Sequence, residues 1–272
     1  MADSRATGPQ SLPLAERSDA DLPGHWLLAR LGKRVLRPGG LALTTRLLAA
    51  ARLEGADVVE LGPGLGRTAS DIVALHPRSY VGVDDTAAAT ESVRAVVSPV
   101  GGSVVVADAA ETGLPSGSAD VVVGEAMLTM QGDKAKRAIV AEAFRVLRPG
   151  GRYAIHELGL EPDTLPQEAK DEIRRDMARA IKVNARPLTT AEWTQVLSDA
   201  GFEIVSVDHA PMALLNPARV LADEGPLGAL RIVGNLIRRP AARRRVIGMR
   251  RTFQRYRRSL TAVAVVGVVP GS

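Results

Sequence analysis

Five short apolar runs in this chain end in side chains that can do chemistry. Glu60 follows Val58 and Val59, Asp84 and Asp85 follow Tyr80 to Val83, and Asp108 follows Ser103 to Ala107. Glu125 closes ADVVVGE, and His156 and Glu157 close RYAIHE. A carboxylate at a strand end can accept two hydrogen bonds from a ribose diol. A histidine titrates near neutral pH and serves as a general base when a neighbouring acid orients it, which makes His156 the candidate base and Glu125 and Glu157 its acidic company. For Asp84 and Asp85 the competing use is a helix N-cap, and for His156 a plain hydrogen bond at a strand end. His25, His76 and His209 show no metal spacing such as H-x-x-x-H; they read as structural or surface residues, and no metal is expected. The sequence contains no cysteine, which excludes a thiolate nucleophile, a disulfide and a cysteine-held zinc or iron–sulfur site.

The stretch from Asp57 to Ala69, DVVELGPGLGRTA, organises these positions. It reads as strand, glycine turn, helix. Gly62, Gly64 and Gly66 admit positive φ or a close ligand, and the helix beyond them offers unpaired N–H groups to an anion. A dinucleotide fingerprint places its third glycine three residues after the second; counted from Gly64, that residue is Arg67. The pattern here is E-x-G-x-G-x-G instead.

Strands and helices alternate from there, as in a doubly wound parallel α/β sheet. Strands are expected at Val58–Leu61, Tyr80–Asp84, Ser103–Ala107, Ala119–Val123, Arg152–Glu157, Glu203–Asp208 and Leu260–Val268, with a long helix at Asp133–Val146 stopping at the RPGG of Arg148 to Gly151. The 272 residues suit one large domain, and an aromatic content of 3% calls for a core of Ala, Val, Leu and Ile. A loose leader is expected over residues 1–24 and a single domain over 25–272. Helices at His25–Leu36 and Leu41–Leu53, separated by the RPGG of Arg37 to Gly40, would form a lid over residues 25–53. Two helical insertions, 160–185 and 216–259, would build a substrate site, and Leu188–Ala200 would be a crossover helix capped at Thr189 or Thr190.

Glu60 with its three glycines resembles motif I of the class I S-adenosylmethionine-dependent methyltransferases. The resemblance extends, in order, to Asp84, to Asp108 and Ala109 ahead of Leu114 and Pro115, and to the second RPGG turn. It implies a Rossmann-like seven-stranded sheet of order 3-2-1-4-5-7-6 and S-adenosylmethionine as cofactor. The turn of Glu60, Gly62, Pro63, Gly64 and Gly66 would wrap the methionine part, Asp84 or Asp85 would hold the ribose, and Asp108 and Ala109 the adenine. Gly124 and Glu125 would reach the methionine moiety or the substrate. Two extra residues before Leu114 could displace Glu111 into the site. Among relatives, quinone and sterol methyltransferases are the most similar in kind, which implies methyl transfer to a small-molecule acceptor. The alternative is a silent cofactor-binding protein that acts through its basic segment at a membrane or partner surface.

That segment is Arg231 to Arg258, with eleven arginines and no acid. The formal charge of the whole chain is +5, so the remainder carries about −6. Apolar residues interleave with the arginines: Ile232, Leu236, Val246, Ile247, Met249 and Phe253. Three uses compete: an ordinary amphipathic helix on the body, a peripheral contact with an anionic membrane, and a nucleic-acid patch. The last is disfavoured, because cytosine-C5 methylation needs a cysteine and the D/N-P-P-Y motif of amino methylation is absent. The polar N-terminus has no signal-peptide run, so the expected location is cytoplasmic or membrane-peripheral.

Overall fold

The computed structural model describes residues 14 and 16–271. Most of the expected leader therefore lies outside the described residues. The order of elements is α1 (Gly24–Arg30), α2 (Gly40–Ala51), β1 (Asp57–Leu61), α3 (Arg67–Val73), β2 (Ser79–Asp84), α4 (Ala87–Val97), β3 (Ser103–Val106), β4 (Ala119–Glu125), α5 (Asp133–Val146), β5 (Leu147–Leu160), α6 (Gln167–Ile181), β6 (Leu188–Thr189), α7 (Thr190–Asp199), β7 (Glu203–Pro211), α8 (Pro217–Arg238), α9 (Pro240–Arg255) and β8 (Leu260–Val268).

The sheet runs β3-β2-β1-β4-β5-β8-β7, with the two-residue β6 on the far end of β5. The five strands β1 to β5 pair in parallel, and β8 runs antiparallel between β5 and β7. With β6 set aside, this is the order that the sequence resemblance implies. Strand β8, LTAVAVVGV, is buried along all but its last residue, as a continuous apolar run in a sheet covered on both faces should be.

One core layer packs Leu43, Leu47, Ile72 and Val93 against one face of the sheet, and a second packs Ile139, Trp193 and Leu197 against the other. A third cluster joins the added helices: Leu27 and Leu28 of α1, Ile173 and Met177 of α6, and Met249 and Phe253 of α9. The insertions thus form a cap at the carboxyl end of β5.

Local chemistry accounts for most boundaries. Helix α7 opens with a capping box in which the Thr189 hydroxyl accepts from Glu192 N–H and the Glu192 carboxylate accepts from Thr189 N–H. Helix α1 ends at Arg30 and not at Leu36, because the chain turns at Gly32 with φ of +100°, a conformation open mainly to glycine. Residues 33–38 leave the helix and cross toward the strand ends. Helix α8 is kinked at Gly225, which is followed by Pro226.

Candidate active site

A cleft of about 590 Å³ lies at the carboxyl ends of β1, β2 and β4, where ligands bind in open α/β sheets. The glycine turn forms its floor. Gly62 and Gly64 have φ of +64° and +55°, and a Cβ on Gly64 would meet only a backbone oxygen at 3.9 Å. The space in front of the turn is open to a ligand. Gly66, with φ of +74°, closes the turn and starts α3.

Five carboxylates line the cleft: Glu60, Asp84, Asp85 and Asp108 around this floor, with Pro63 and Ala109 beside them, and Glu125 in the wall. Glu60 is buried and accepts from the Tyr80 hydroxyl at 2.6 Å. Burial, only partly opposed by that hydrogen bond, pushes its pKa up to about 8. Asp84 accepts from Gly64 N–H (3.2 Å) and Thr86 N–H (2.9 Å), which ties the end of β2 to the turn; desolvation raises its pKa despite both bonds. Asp85 is exposed and accepts from the Thr86 hydroxyl, and Asp108 accepts from Ala110 N–H at 2.8 Å.

Glu125 is the hub of the cleft wall. Its Oε1 accepts from the Thr44 hydroxyl of α2 (2.5 Å) and lies 2.8 Å from His156 Nδ1. Its Oε2 accepts from the Thr68 hydroxyl of α3 (2.6 Å) and sits 3.2 Å from the Arg37 guanidinium. Arg37 also pairs with Asp71 at 3.4 Å. Burial alone would raise the Glu125 pKa, but Arg37, the His156 hydrogen bond and Thr44 together outweigh it and hold the carboxyl at about 2. The hub ties α2, α3 and the 33–38 crossing to the end of β4.

His156 and Glu157 are adjacent in β5 and point to opposite faces of the sheet. His156 is fully buried, and its Nε2 accepts from Gly39 N–H at 3.1 Å. The ring proton therefore sits on Nδ1, toward Glu125. Both ring nitrogens are occupied. Glu157 accepts from Met127, Leu128 and Thr129 N–H and from the Thr129 hydroxyl at 2.6–3.0 Å. Burial pushes its pKa up to about 7 against those four bonds. It holds the loop after β4.

Of the residues singled out by sequence, Glu60, Gly62, Pro63, Gly64, Asp84, Asp85, Asp108, Ala109 and Glu125 come together around the cleft. Gly66, Gly124, His156, Glu157 and the suspected Glu111 do not line it. The structure adds Trp26, Arg34, Arg37, Arg67, Thr68, Met127 and Met130, while Thr44 stands behind Glu125. Arg37 carried a signal, as an arginine beside a turn, but its destination is set by the tertiary fold.

A second, apolar pocket of about 70 Å³ shares His25, Leu36, Ala126 and Met130 with the cleft. Its deeper wall is made by Met177 and Ile181 of α6, Met212 and Leu214 after β7, and Met249 and Phe253 of α9. His25 stands between the two spaces. Its Nδ1 is buried with no hydrogen-bond partner among the described residues, and desolvation lowers its pKa to about 4. Among the described residues no group of His, Cys, Asp and Glu could hold a metal ion.

The donor set suits S-adenosylmethionine. Its ribose diol and exocyclic amine are donors, its ammonium and sulfonium are cations, and the cleft presents carboxylates on a glycine floor. Comparison with known proteins agrees. Residues 59–155 match the methyltransferase domain family model. An uncharacterized protein of Haemophilus influenzae is 33% identical over 223 residues, 80% of this chain and 87% of its own. A probable S-adenosylmethionine-dependent methyltransferase of Mycolicibacterium smegmatis is 35% identical over 155 residues, 57% of this chain and 55% of its own. Among solved structures, a phosphoethanolamine N-methyltransferase 2 of Haemonchus contortus, in complex with its phosphorylated ligand and S-adenosylhomocysteine, superposes with a TM-score of 0.67. It is 16% identical, over 91% of this chain and 57% of its own, and so speaks for the fold alone. Fold, cleft and sequence together define a class I methyltransferase. The chain belongs to the S-adenosylmethionine-dependent methyltransferases, and S-adenosylmethionine is its cofactor.

Proposed function

We propose that this enzyme methylates a small, largely apolar acceptor held in the pocket beneath α1. The observation that carries this reading is the apolar, methionine-lined space that adjoins the carboxylate cleft and shares His25, Leu36, Ala126 and Met130 with it. Methionine side chains repack around ligands of varied shape, so a small cavity in the free protein is compatible with a larger guest.

The bound cofactor supplies an electrophilic methyl on a sulfonium. The chain supplies alignment, exclusion of water and, for a protonated acceptor, a place for the proton. In this reading the turn of Glu60, Gly62, Pro63 and Gly64 holds the methionine part, with Gly66 setting its exit into α3. Asp84, seconded by Asp85, holds the ribose, and Asp108 with Ala109 the adenine. Glu125 fixes the wall at the methyl end, with Gly124 leaving room behind it. His156 acts as a positioning residue, because its two nitrogens tie Glu125 to Gly39. Glu157 positions the loop that carries Met127 and Met130. Of the expected lid over residues 25–53, the part up to Arg37 borders the cleft while α2 packs on the sheet, and a buried ring nitrogen of His25, without a hydrogen-bond partner among the described residues, lies beside the apolar pocket.

Calorimetry with S-adenosylmethionine, S-adenosylhomocysteine and NADH is the first check: the first two bind with one site and NADH does not. Asp84→Ala weakens cofactor binding by about 1–3 kcal/mol, the worth of hydrogen bonds to a charged group. Incubation with labelled cofactor and fractionated cell extract then identifies the acceptor. A labelled product that is a polymer, or a strongly charged small molecule, rules out the apolar-acceptor reading.

A further inference from the structure

Helices α8 and α9 carry more unpartnered chemistry than any other described surface of the molecule. The kink at Gly225 divides α8 into halves of different character. Before it, the side chains of Asp223 and Glu224 are buried: Glu224 accepts from Arg34 and Val35 N–H and pairs with Lys33, and Asp223 accepts from Leu41 N–H. After it, Leu227, Leu230, Val233 and Ile237 are between 51% and 80% exposed. At 100° per residue these four share one face of the helix, away from the buried Ile232. Ile247 of α9 is exposed as well.

Arginines flank this apolar row. Arg239 pairs with Asp19, Arg245 donates to the carbonyls of Asp19 and Leu22, and Arg255 pairs with Glu172 and Asp176. Arg231, Arg238, Arg243, Arg244, Arg250 and Arg251 are exposed and have no ion pair among the described residues. No acid lies between Glu224 and the chain's end to neutralise them.

We propose that this outer face of α8 and α9 docks on the surface of an anionic lipid bilayer, with Leu227, Leu230, Val233 and Ile237 entering the headgroup boundary and the arginines meeting lipid phosphates. The pairing of an apolar row with unneutralised positive charge selects the occupant. A second copy of the chain would bring arginine against arginine across a two-fold axis. A nucleic acid would meet the arginines and leave the four apolar side chains in water. An interfacial helix uses both. No described helix is long and apolar enough to cross a membrane, so the contact is peripheral. The proposal is independent of what the cleft methylates.

The test uses the full chain and vesicles of phosphatidylcholine, alone or with about a third phosphatidylglycerol, read by co-sedimentation. The expected result is partitioning onto the anionic vesicles at low salt, weaker by tenfold or more on neutral vesicles, and falling steeply as the Debye length shrinks from about 30 Å at 0.01 M salt to 3 Å at 1 M. The substitutions L227S, L230S and I237S lie on exposed positions and should leave thermal unfolding unchanged while cutting partitioning severalfold. R243Q, R244Q, R250Q and R251Q together should nearly abolish it. Failure to bind anionic vesicles at low salt overturns the proposal. So does equal binding by the serine variant, which reduces the face to general cationic adsorption. Two other results overturn it as well: salt-sensitive binding of a 20-base duplex that the serine variant retains, and a dimer in ultracentrifugation that the serine variant loses.

Discussion

Arg37 and Arg243 are the same residue put to opposite uses. Arg37 is buried between Glu125 and Asp71 at the wall of the cofactor cleft, within a network that also takes in Thr44, Thr68 and His156. Arg243 stands in solvent on α9 with no partner among the described residues. Buried charge costs desolvation and is kept only with matched partners. Exposed charge costs little in the fold, and its energy becomes available to a partner. The inward network therefore belongs to the folded state and the outward face to an encounter. Stability measurements should respond to the first and scarcely to the second.

The largest effect is expected at the hub. Glu125→Ala leaves Arg37 buried without its counter-charge and both threonine hydroxyls without their acceptor, a loss of about 3–5 kcal/mol, read as a lower denaturant midpoint with unchanged slope. Glu125→Gln keeps one acceptor oxygen, for either Thr44 or Thr68 but not both, and should lose less than alanine. If alanine at position 125 leaves the midpoint where it was, the network is not what holds the lid to the sheet.

Two carboxyls of the same cleft are pushed apart in pKa, and their pH signatures have opposite signs. Glu125 is held at about 2, below its ordinary 4.5. Its contribution is complete above about pH 4.5 and disappears as pH falls toward 2. Glu60 is raised to about 8 from the same ordinary value. Between pH 4.5 and 8 the unfolded chain releases that proton while the folded chain keeps it, so stability falls as pH rises through the window. Glu60→Gln removes this fall: relative to wild type, its melting temperature should rise between pH 5 and 8. Parallel curves for the two proteins would mean that burial at Glu60 is offset in the free enzyme.

Much of this contrast was written in the sequence. The strand ends and the glycine turn follow from apolar runs stopping at acids and from positive-φ demands, both local properties, and the seven main strands lie where the pattern puts them. The arginine segment was legible too, because charge composition needs no fold to be read. What was hidden is what the fold brings in from far along the chain. Arg37 read as part of a turn, yet Gly32 breaks the helix early and delivers Arg37 to Glu125. Thr44 carried no signal beyond its place in the expected helix Leu41–Leu53. Adjacent placement made His156 and Glu157 look like one site, although strand alternation sends them to opposite faces. His25 read as a structural or surface residue, because nothing local shows that its ring lines two pockets.

A smaller effect is expected at the boundary between the inward and outward halves of α8. Gly225 adopts φ 70°, ψ 173°, a region held almost only by glycine, while a Cβ there would meet nothing within 4 Å. Gly225→Ala should therefore cost about 1–3 kcal/mol through backbone strain alone. A crowding explanation predicts rescue by trimming a neighbour, but the open space leaves no neighbour to trim. If the variant is as stable as wild type, the two halves of α8 are not separated by a fixed kink, and the anchored half does not dictate how the exposed half is presented.

The smallest effect should come from the arginines themselves. Replacing Arg243 and Arg244 together by Gln removes two positive charges from a stretch that contains no acid. Neither side chain has an ion pair or hydrogen bond to lose among the described residues, and glutamine keeps a good helix propensity. Relief of repulsion from Arg239, Arg250 and Arg251 and loss of some aliphatic packing act in opposite directions. The net change in unfolding free energy should stay within about 0.5 kcal/mol, as for surface substitutions away from special features, with any stabilisation largest at low salt, where repulsion is least screened. A loss of 2 kcal/mol or more would place these arginines in the folded network after all. The contrast with Arg37 would then be one of degree, and the outer face would have a structural reason to exist.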